Sequence, residues 1–131
     1  MDFLYQDPYP ILKDDTTYKK LTSDYVKVEQ LGDREILVVD PKGLELLAQE
    51  AMDDVSFMLR SAHLQKLRNI IEDPEATDND RFVAYNLLQN AAVAVEGQLP
   101  SGEDTGTAIV VAKKGENVYT GVDDGEWLSK G

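Results

Sequence analysis

One loop of this sequence, residues 100–107, combines residue types that can do chemistry: Pro-Ser-Gly-Glu-Asp-Thr-Gly-Thr. Its two glycines allow the backbone to approach a ligand closely, and its Ser and Thr residues offer hydroxyls. Glu103 and Asp104 place two carboxylates just before the apolar run 108–112. A carboxylate there can act as a general base or accept a hydrogen bond from a substrate hydroxyl. The same composition is also that of an ordinary turn with an Asx-type cap, so both interpretations stay open.

Other polar residues favour structural roles. His63 is the one histidine of the chain, which excludes a histidine-based metal site, and we expect it at the surface near a helix start. Asp53 and Asp54 are adjacent on a predicted helix and point in different directions, which indicates a solvated face. The acid-rich stretch 72–80 lacks the spacing of a calcium loop, so we expect an exposed linker there.

Charge and cysteine content exclude several classes of protein. The 131 residues include 13 Lys+Arg and 25 Asp+Glu, a formal net charge of −12, and no basic cluster larger than a pair. Such a surface repels phosphate backbones and anionic lipids, so we expect neither nucleic acid nor membrane as a partner. Without cysteine the chain has no disulfide, no thiolate nucleophile and no cysteine-ligated metal site. No apolar run reaches the length of a membrane-spanning helix, and the acidic N-terminus lacks an export signal, so a cytoplasmic location is expected.

Residues 21–97 predict a hairpin and three helices. Alternation around Val26 and Val28, then Gly32-Asp33 and an apolar run at 36–39, is typical of a β-hairpin whose turn uses a glycine with positive φ. Asp40-Pro41 is a typical helix start. Apolar residues at helical spacing predict helices over 41–60, over about 64–71, and from a capping box at Thr77 and Asp80 to near Gly97.

Residues 99–131 predict a second hairpin after the loop. The run 108–112 has the length of a buried strand, 113–116 that of a turn, and 117–120 that of the partner strand. The expected fold class is therefore α+β, a small mainly antiparallel sheet from two hairpins with about three helices packed on it. We expect residues 1–20 to form an extended arm and 21–131 a single domain with a real hydrophobic core. Residues 123–128 resemble a further helix start, so we expect a fragment truncated at its C-terminal end.

The Asp-Thr-Gly triplet at 104–106 occurs in two families that its context separates. In pepsin-like and retroviral proteases the triplet follows an apolar strand, and two copies each contribute an aspartate to a shared dyad. Here Pro-Ser-Gly-Glu precedes it, and three predicted helices do not suit an almost all-β protease. The protease interpretation is therefore disfavoured.

The run 104–111, with Leu99-Pro100 before it and Lys113-Lys114-Gly115 after it, resembles the N-terminal part of class I fumarate hydratase, the iron–sulfur-dependent kind. Further matches are collinear, so the resemblance extends over nearly the whole chain. They lie at 13–16, 21–23, 56–60, 62–63, 73–76 and 79–80.

The resemblance implies reversible hydration of fumarate to L-malate, a step of the tricarboxylic acid cycle. In that family a four-iron four-sulfur cluster is held by three cysteines, and one open iron acts as a Lewis acid on the substrate. The first cysteine lies in the pattern Leu-Pro, small residue, Cys, Gln, Asp-Thr-Gly-Thr. Carried across, the Cys position falls on Gly102, the Gln position on Glu103 and the Asp position on Asp104. Only the aspartate is retained.

Both departures argue against a working cluster site in this chain. Glycine offers no ligand at 102, and Glu103 adds a negative charge where a dicarboxylate should bind. Two like charges about 4 Å apart repel by roughly 4 kcal/mol at an effective dielectric constant of 20. We therefore expect no catalytic residue and no metal site in this chain alone, with Asp104 and Glu103 as substrate-binding positions.

Two hypotheses follow. The first is an N-terminal domain or fragment of a fumarate hydratase-like protein that is inactive alone. It binds fumarate, malate or a related dicarboxylate such as tartrate only together with the remainder of the parent polypeptide, and a homo-oligomer is among its expected partners. The second is a stand-alone degenerate binding or interaction module on the same scaffold, with the aromatic-rich segment 1–20 as its docking arm.

Overall fold

The structure is a computed structural model that describes residues 3–6, 17–102 and 106–131. Within these residues it has three strands and four helices, which confirms the expected α+β class. They are β1 Val26–Leu31, β2 Arg34–Val39, α1 Pro41–Phe57, α2 Ser61–Glu72, α3 Asp78–Ala94, β3 Val118–Tyr119 and α4 Asp124–Lys130. The described residues form two compact units, the smaller one containing Leu59–Gln89 and the larger one Lys19–Met58 with Asn90–Gly131. The boundary proposed at 20/21 stays a prediction.

The predicted hairpin is present in the larger unit. β1 and β2 pair antiparallel, and the register that sets Leu31 opposite Arg34 leaves a two-residue turn at Gly32-Asp33. Gly32 has φ +63°, whereas no other type of residue in the described chain has positive φ. In this turn only the first of the two central residues has positive φ. Such a turn matches the right-handed twist of the strands, and its positive φ explains why glycine occupies that position.

The sheet is completed by β3, and here the structure differs from the expected second hairpin. β3 pairs parallel with β2, placing Leu37 opposite Val118, and the Leu37 N–H donates to the Asn117 carbonyl at 2.8 Å. The strand order is β1-β2-β3, and residues 108–112 belong to no strand of the described chain. An apolar run indicates burial but not which strand will pair with it, and here β3 pairs with β2 instead of with 108–112.

Helix α1 begins where the sequence predicted it. The Asp40 carboxylate accepts a hydrogen bond from the Lys42 N–H at 2.9 Å, and Pro41 is the first helical residue. The Asp40 N–H donates to the Tyr25 carbonyl at 2.8 Å, which ties the helix start to the residue before β1. Gly43 lies so close to Tyr25 that an added Cβ would be 2.9 Å from the Tyr25 Cβ. The first turn of α1 therefore rests against the start of the hairpin.

Helix α4, the expected fourth helix, packs against α1. Its cap Asp123 accepts hydrogen bonds from the backbone N–H groups of Gly125 and Glu126, at 2.9 and 3.2 Å. At its end, a Cβ added to Gly131 would lie 2.2 Å from the Glu45 carbonyl oxygen and 2.8 Å from the Ala48 Cβ. The backbone of Gly131 thus reaches the surface of α1 directly, and this contact covers part of that helix.

In the smaller unit, α2 and α3 are joined by the exposed acidic linker that the sequence predicted. The capping box is present: the Asp80 N–H donates to Thr77 Oγ1 at 3.2 Å, and the Thr77 N–H donates to Asp80 Oδ2 at 3.0 Å. The hydrogen bond from the Thr77 hydroxyl lowers the pKa of the Asp80 carboxyl. Arg81 Nη2 donates to the Asp73 carbonyl at 2.8 Å, which fastens the linker to the first turn of α3.

The hydrophobic core is smaller than the chain length suggested. Among the described residues the buried apolar side chains are Ala48, Leu67, Ala84 and Ala94, so three of the four are alanines. Large apolar side chains are instead exposed on β1, on α3 and along 109–111. The first hairpin and the helices form as predicted, but few of the apolar side chains in the described residues are buried. No helix of the described residues is long and apolar enough to cross a membrane.

The cap at Asp40 gives the first testable prediction. Replacing the carboxylate in an Asp40→Ala variant leaves the Lys42 N–H without its partner and should lower the free energy of unfolding by about 1 kcal/mol. Asp40→Asn keeps an acceptor oxygen and should lose less. Urea unfolding followed by far-UV circular dichroism measures both, and an Asp40→Ala midpoint equal to that of the unchanged chain would contradict the prediction.

Candidate functional site

The candidate loop begins where α3 ends. The Glu96 N–H donates to the Val93 carbonyl at 3.2 Å, and the Gly97 N–H donates to the Ala94 carbonyl at 2.9 Å. Gly97 has φ +75°, the left-handed conformation with which many helices end. The predicted helix end near Gly97 is therefore confirmed, and the chain leaves α3 toward residues 98–102.

A pair of serines fixes the loop just before Gly102. The Ser101 N–H donates to the Ser56 carbonyl at 2.7 Å, and the Ser101 hydroxyl donates to the same oxygen at 3.2 Å. Ser56 lies in the last turn of α1, where carbonyls lack partners within the helix. Its own hydroxyl donates to the Met52 carbonyl at 2.7 Å. The end of α1 thus holds the residue that precedes Gly102.

The structure describes only part of the predicted site. Gly102 is exposed, and a Cβ added there would meet no atom of the described residues within 4 Å. Gly106 has the same open surroundings. Glu103 and Asp104, the predicted substrate-binding residues, lie outside the described residues, so their role stays a prediction. What the structure adds is that position 102 has room for a side chain and an anchored neighbour at 101.

On the far side of the loop, a hydrogen-bonded group fixes the chain again at Lys114. Its Nζ donates to Asp124 Oδ2 at 2.5 Å and to Thr120 Oγ1 at 3.2 Å, and the Thr120 hydroxyl donates to Asp124 Oδ1 at 2.5 Å. Thr120 is the one buried polar residue of the described chain, 8% exposed. The hydrogen bond from Lys114, followed by that from Thr120, lowers the pKa of the Asp124 carboxyl. The chain is therefore held at Ser101, before the candidate loop motif, and at Lys114, after it.

Sequence reasoning missed both anchors. The sequence placed Lys114 in a basic pair, in the predicted turn 113–116 and in the family match, and Ser101 among the loop hydroxyls, without indicating a side-chain partner for either. Both side chains bond to residues that lie between 6 and 45 positions away, so no short-range pattern marks them. The one available signal was the acidic pair Asp123-Asp124 at a predicted helix start. When Asp123 caps the helix, the carboxylate of Asp124 can accept a hydrogen bond from a lysine.

The other polar residues occupy the structural positions expected of them. His63 is exposed in the first turn of α2, where its N–H donates to the Arg60 carbonyl at 3.0 Å. Asp54 lies 3.8 Å from Lys19 Nζ, which also donates to Glu50 Oε2 at 2.9 Å. The hydrogen bond to Glu50 raises the pKa of Lys19. This face of α1 is solvated, as predicted, but it carries a lysine from outside the helix that the sequence did not reveal.

The donor groups of this chain do not fit a cysteine-held cluster. The sequence contains no cysteine, and the described residues contain no group of three or more histidine or carboxylate side chains arranged to hold a metal ion. The open space at Gly102 would admit a ligand side chain, but glycine supplies none. No step of chemistry can therefore be derived through a cluster held by this chain alone.

Comparison with known proteins identifies the family. The family model described as fumarate hydratase (Fumerase) matches residues 45–131. The chain is 53% identical over 129 residues to "Fumarate hydratase class I, anaerobic" of Escherichia coli K12, covering 98% of this chain and 24% of that protein. It is 50% identical over 129 residues to "Fumarate hydratase class I, aerobic" of Salmonella typhimurium, covering 98% of this chain and 22% of that protein. It is also 50% identical over 119 residues to "Fumarate hydratase 1, mitochondrial" of Leishmania major, covering 89% of this chain and 22% of that protein.

This chain belongs to the fumarate hydratase family, which confirms the resemblance found at 104–115. It spans about a quarter of the length of the curated relatives it matches. The match of the family model includes both anchors of the loop, from Ser56 to Asp124.

The Lys114–Asp124 contact predicts a pH dependence of stability. A carboxyl whose pKa is lowered in the folded state stabilises that state above its unfolded pKa of about 3.9, and the contribution is lost as the pH falls through the lower folded value. Asp124→Asn should therefore lower the urea midpoint at pH 7, and its difference from the unchanged chain should shrink below about pH 3.9. Glu116→Gln, which removes the same charge from the adjoining turn, should leave the midpoint nearly unchanged. Equal effects of the two substitutions at pH 7 would contradict the prediction.

Proposed function

We propose that this chain is the N-terminal part of a fumarate hydratase that reversibly hydrates fumarate to L-malate, and that the loop 99–107 forms one wall of its dicarboxylate site. The observation that carries the proposal is the motif Asp-Thr-Gly-Thr at 104–107 behind an anchored Ser101 in a chain of this family. In this role Asp104 accepts a hydrogen bond from the hydroxyl of malate, or acts as a general base on it. A cytoplasmic location and the tricarboxylic acid cycle belong to the same proposal.

The chain alone is proposed to be inactive. Gly102 stands where the family has its first cluster cysteine, and the family resemblance puts the other two cysteines in polypeptide that this chain does not include. Glu103 adds a charge that opposes a dicarboxylate, by roughly 4 kcal/mol at 4 Å and an effective dielectric constant of 20. The dicarboxylate, the remaining polypeptide and further copies in a homo-oligomer are then partners of the whole protein.

Restoring one thiolate to the isolated chain should not restore a cluster. After anaerobic incubation with iron and sulfide, neither the unchanged chain nor Gly102→Cys should show the visible absorption or the paramagnetic signal of a reduced four-iron cluster, because one thiolate cannot replace the several that hold such a cluster. Neither protein should hydrate fumarate above the buffer rate. A cluster signal from the Gly102→Cys chain, or malate formed by the unchanged chain, would contradict the prediction.

A chimaera tests the position of the loop in the site. This chain replaces the matched quarter of the anaerobic E. coli enzyme, so that the remaining polypeptide supplies the rest of the site. The chimaera should not hydrate fumarate, the Gly102→Cys chimaera should do so, and Glu103→Gln added to it should lower the KM for fumarate because a like charge is removed. Ser101→Cys, a cysteine one residue away, is the matched control and should stay inactive. Hydration by the unchanged chimaera, or equal activity of the two cysteine variants, would overturn the assignment of position 102.

The second candidate, a stand-alone interaction module, is favoured by one observation. Phe3 and Tyr18, on either side of the undescribed stretch 7–16, are 90% and 87% exposed, and Tyr5 is exposed as well. Exposed aromatic side chains of this size are typical of binding segments. The gene distinguishes the two: a reading frame that continues past Gly131 with further cysteines supports the enzyme, and a natural stop codon supports the module.

A further inference from the structure

The apolar run after the loop, residues 107–112, is exposed in the larger unit although its sequence is typical of a buried strand. Residues 107–112 read Thr-Ala-Ile-Val-Val-Ala, a sequence of high β-propensity, yet the structure assigns them to no strand. The described chain shows no hydrogen bond from the backbone of these six residues. Ile109, Val110 and Val111 are 79%, 50% and 60% exposed.

The exposed side chains lie on both faces that this segment would have as a strand. Because side chains alternate, Ile109 and Val111 would share one face and Val110 the other, with alanines beside it. A strand that is apolar on both faces is typical of a sheet covered on both sides, whereas a half-exposed strand alternates with polar residues. The partner that packs against this segment must therefore supply a neighbouring strand and an apolar layer on each face.

A second copy of this chain does not meet that requirement. Two copies of the segment paired about a two-fold axis would form a two-stranded ribbon with both faces still bare, and an isolated ribbon is marginally stable. The net charge of −12 on each copy opposes their approach. The relatives offer another source, because about three-quarters of their length lies outside the region that this chain matches.

We propose that residues 107–112 are a β-strand that pairs with a strand of the polypeptide lying outside the matched quarter in full-length fumarate hydratases. The pairing is held by main-chain hydrogen bonds, and Ile109, Val110 and Val111 enter apolar layers on its two faces. Since Ser101 and Lys114 fix the chain on either side, the segment is already positioned when the partner strand meets it. The proposal rests on the proposed function only in taking the full-length enzyme as the complete protein.

Amide hydrogen exchange tests the pairing without any substitution. In the isolated 131-residue chain the amides of 108–112 should exchange at nearly the rate of an unstructured peptide. In the chimaera, and in the corresponding segment of the natural E. coli enzyme, they should exchange on the order of 100-fold more slowly or beyond. Fast exchange in the natural full-length enzyme would overturn the proposal. Protection in the isolated chain that grows with its concentration would also overturn it, in favour of a second copy.

Substitutions identify the groups responsible. Val110→Pro removes a main-chain donor that a central strand needs, and the pair Ile109→Lys with Val111→Lys charges one face. Both should leave the thermal midpoint of the isolated chain unchanged and lower that of the chimaera by several degrees. Val28→Lys, on the exposed face of β1, is the matched control and should affect the two proteins alike. If the isolated chain loses as much stability as the chimaera, the segment is structural within this chain and the proposal fails.

The readouts also separate this proposal from the proposed function. Exchange and thermal midpoints report the pairing whether or not fumarate is hydrated. A chimaera that stays inactive with Gly102→Cys but protects residues 108–112 overturns the site assignment alone. An active Gly102→Cys chimaera whose segment exchanges fast overturns the strand pairing alone.

Discussion

Three groups of Asp40 connect the hairpin to the helix that holds the candidate loop. Its N–H donates to the Tyr25 carbonyl, its carboxylate accepts from the Lys42 N–H, and its carbonyl accepts from the Gly43 N–H at 2.8 Å. The position and direction of α1 are therefore set at its first turn, where Gly43 also meets Tyr25 without an intervening side chain. The 17 residues of α1 span about 25 Å, and Ser56 lies at the far end. The Ser101 anchor depends on this geometry, because only a helix of fixed direction presents the Ser56 carbonyl at a fixed place.

The larger unit keeps its shape mainly through such directed contacts, because it buries few apolar side chains. Ala48 lies beneath the α1–α4 contact, where the Gly131 backbone reaches α1 directly, and small residues there allow the two helices to approach closely. At the start of α4, the Lys114, Thr120 and Asp124 side chains form hydrogen bonds with one another. Hydrogen bonds of this kind fix geometry well but contribute about 1 kcal/mol each. A chain stabilised in this way gains most from further polypeptide that covers its exposed apolar residues.

Features whose signal is local were predictable from the sequence. The Gly32 turn, the Asp40-Pro41 helix start and the capping box at Thr77 each join residues at most three positions apart, so neighbouring sequence contains both partners. Non-local features were not predictable, among them the parallel pairing of β3. Its two residues are long enough to join a sheet but too short to indicate a direction or a neighbour. For the site, the residues alone indicated a loop with two carboxylates, and only the family resemblance gave each position a role, including the missing ligand at Gly102.

Gly102 itself shows that the fold and the chemistry of this loop are separable. The glycines with positive φ in the described chain are Gly32, Gly97 and Gly121, so the backbone at 102 does not require a glycine. Within the part of the chain that the structure describes, a Cβ added at 102 has no atom within 4 Å, so packing there does not require a glycine either. Ser101 donates to the Ser56 carbonyl through its backbone N–H and its hydroxyl, and neither hydrogen bond involves the side chain at 102. A change of side chain at 102 can therefore alter the chemistry that the loop offers while the backbone that presents it stays the same, because fold and function are separable at such a position.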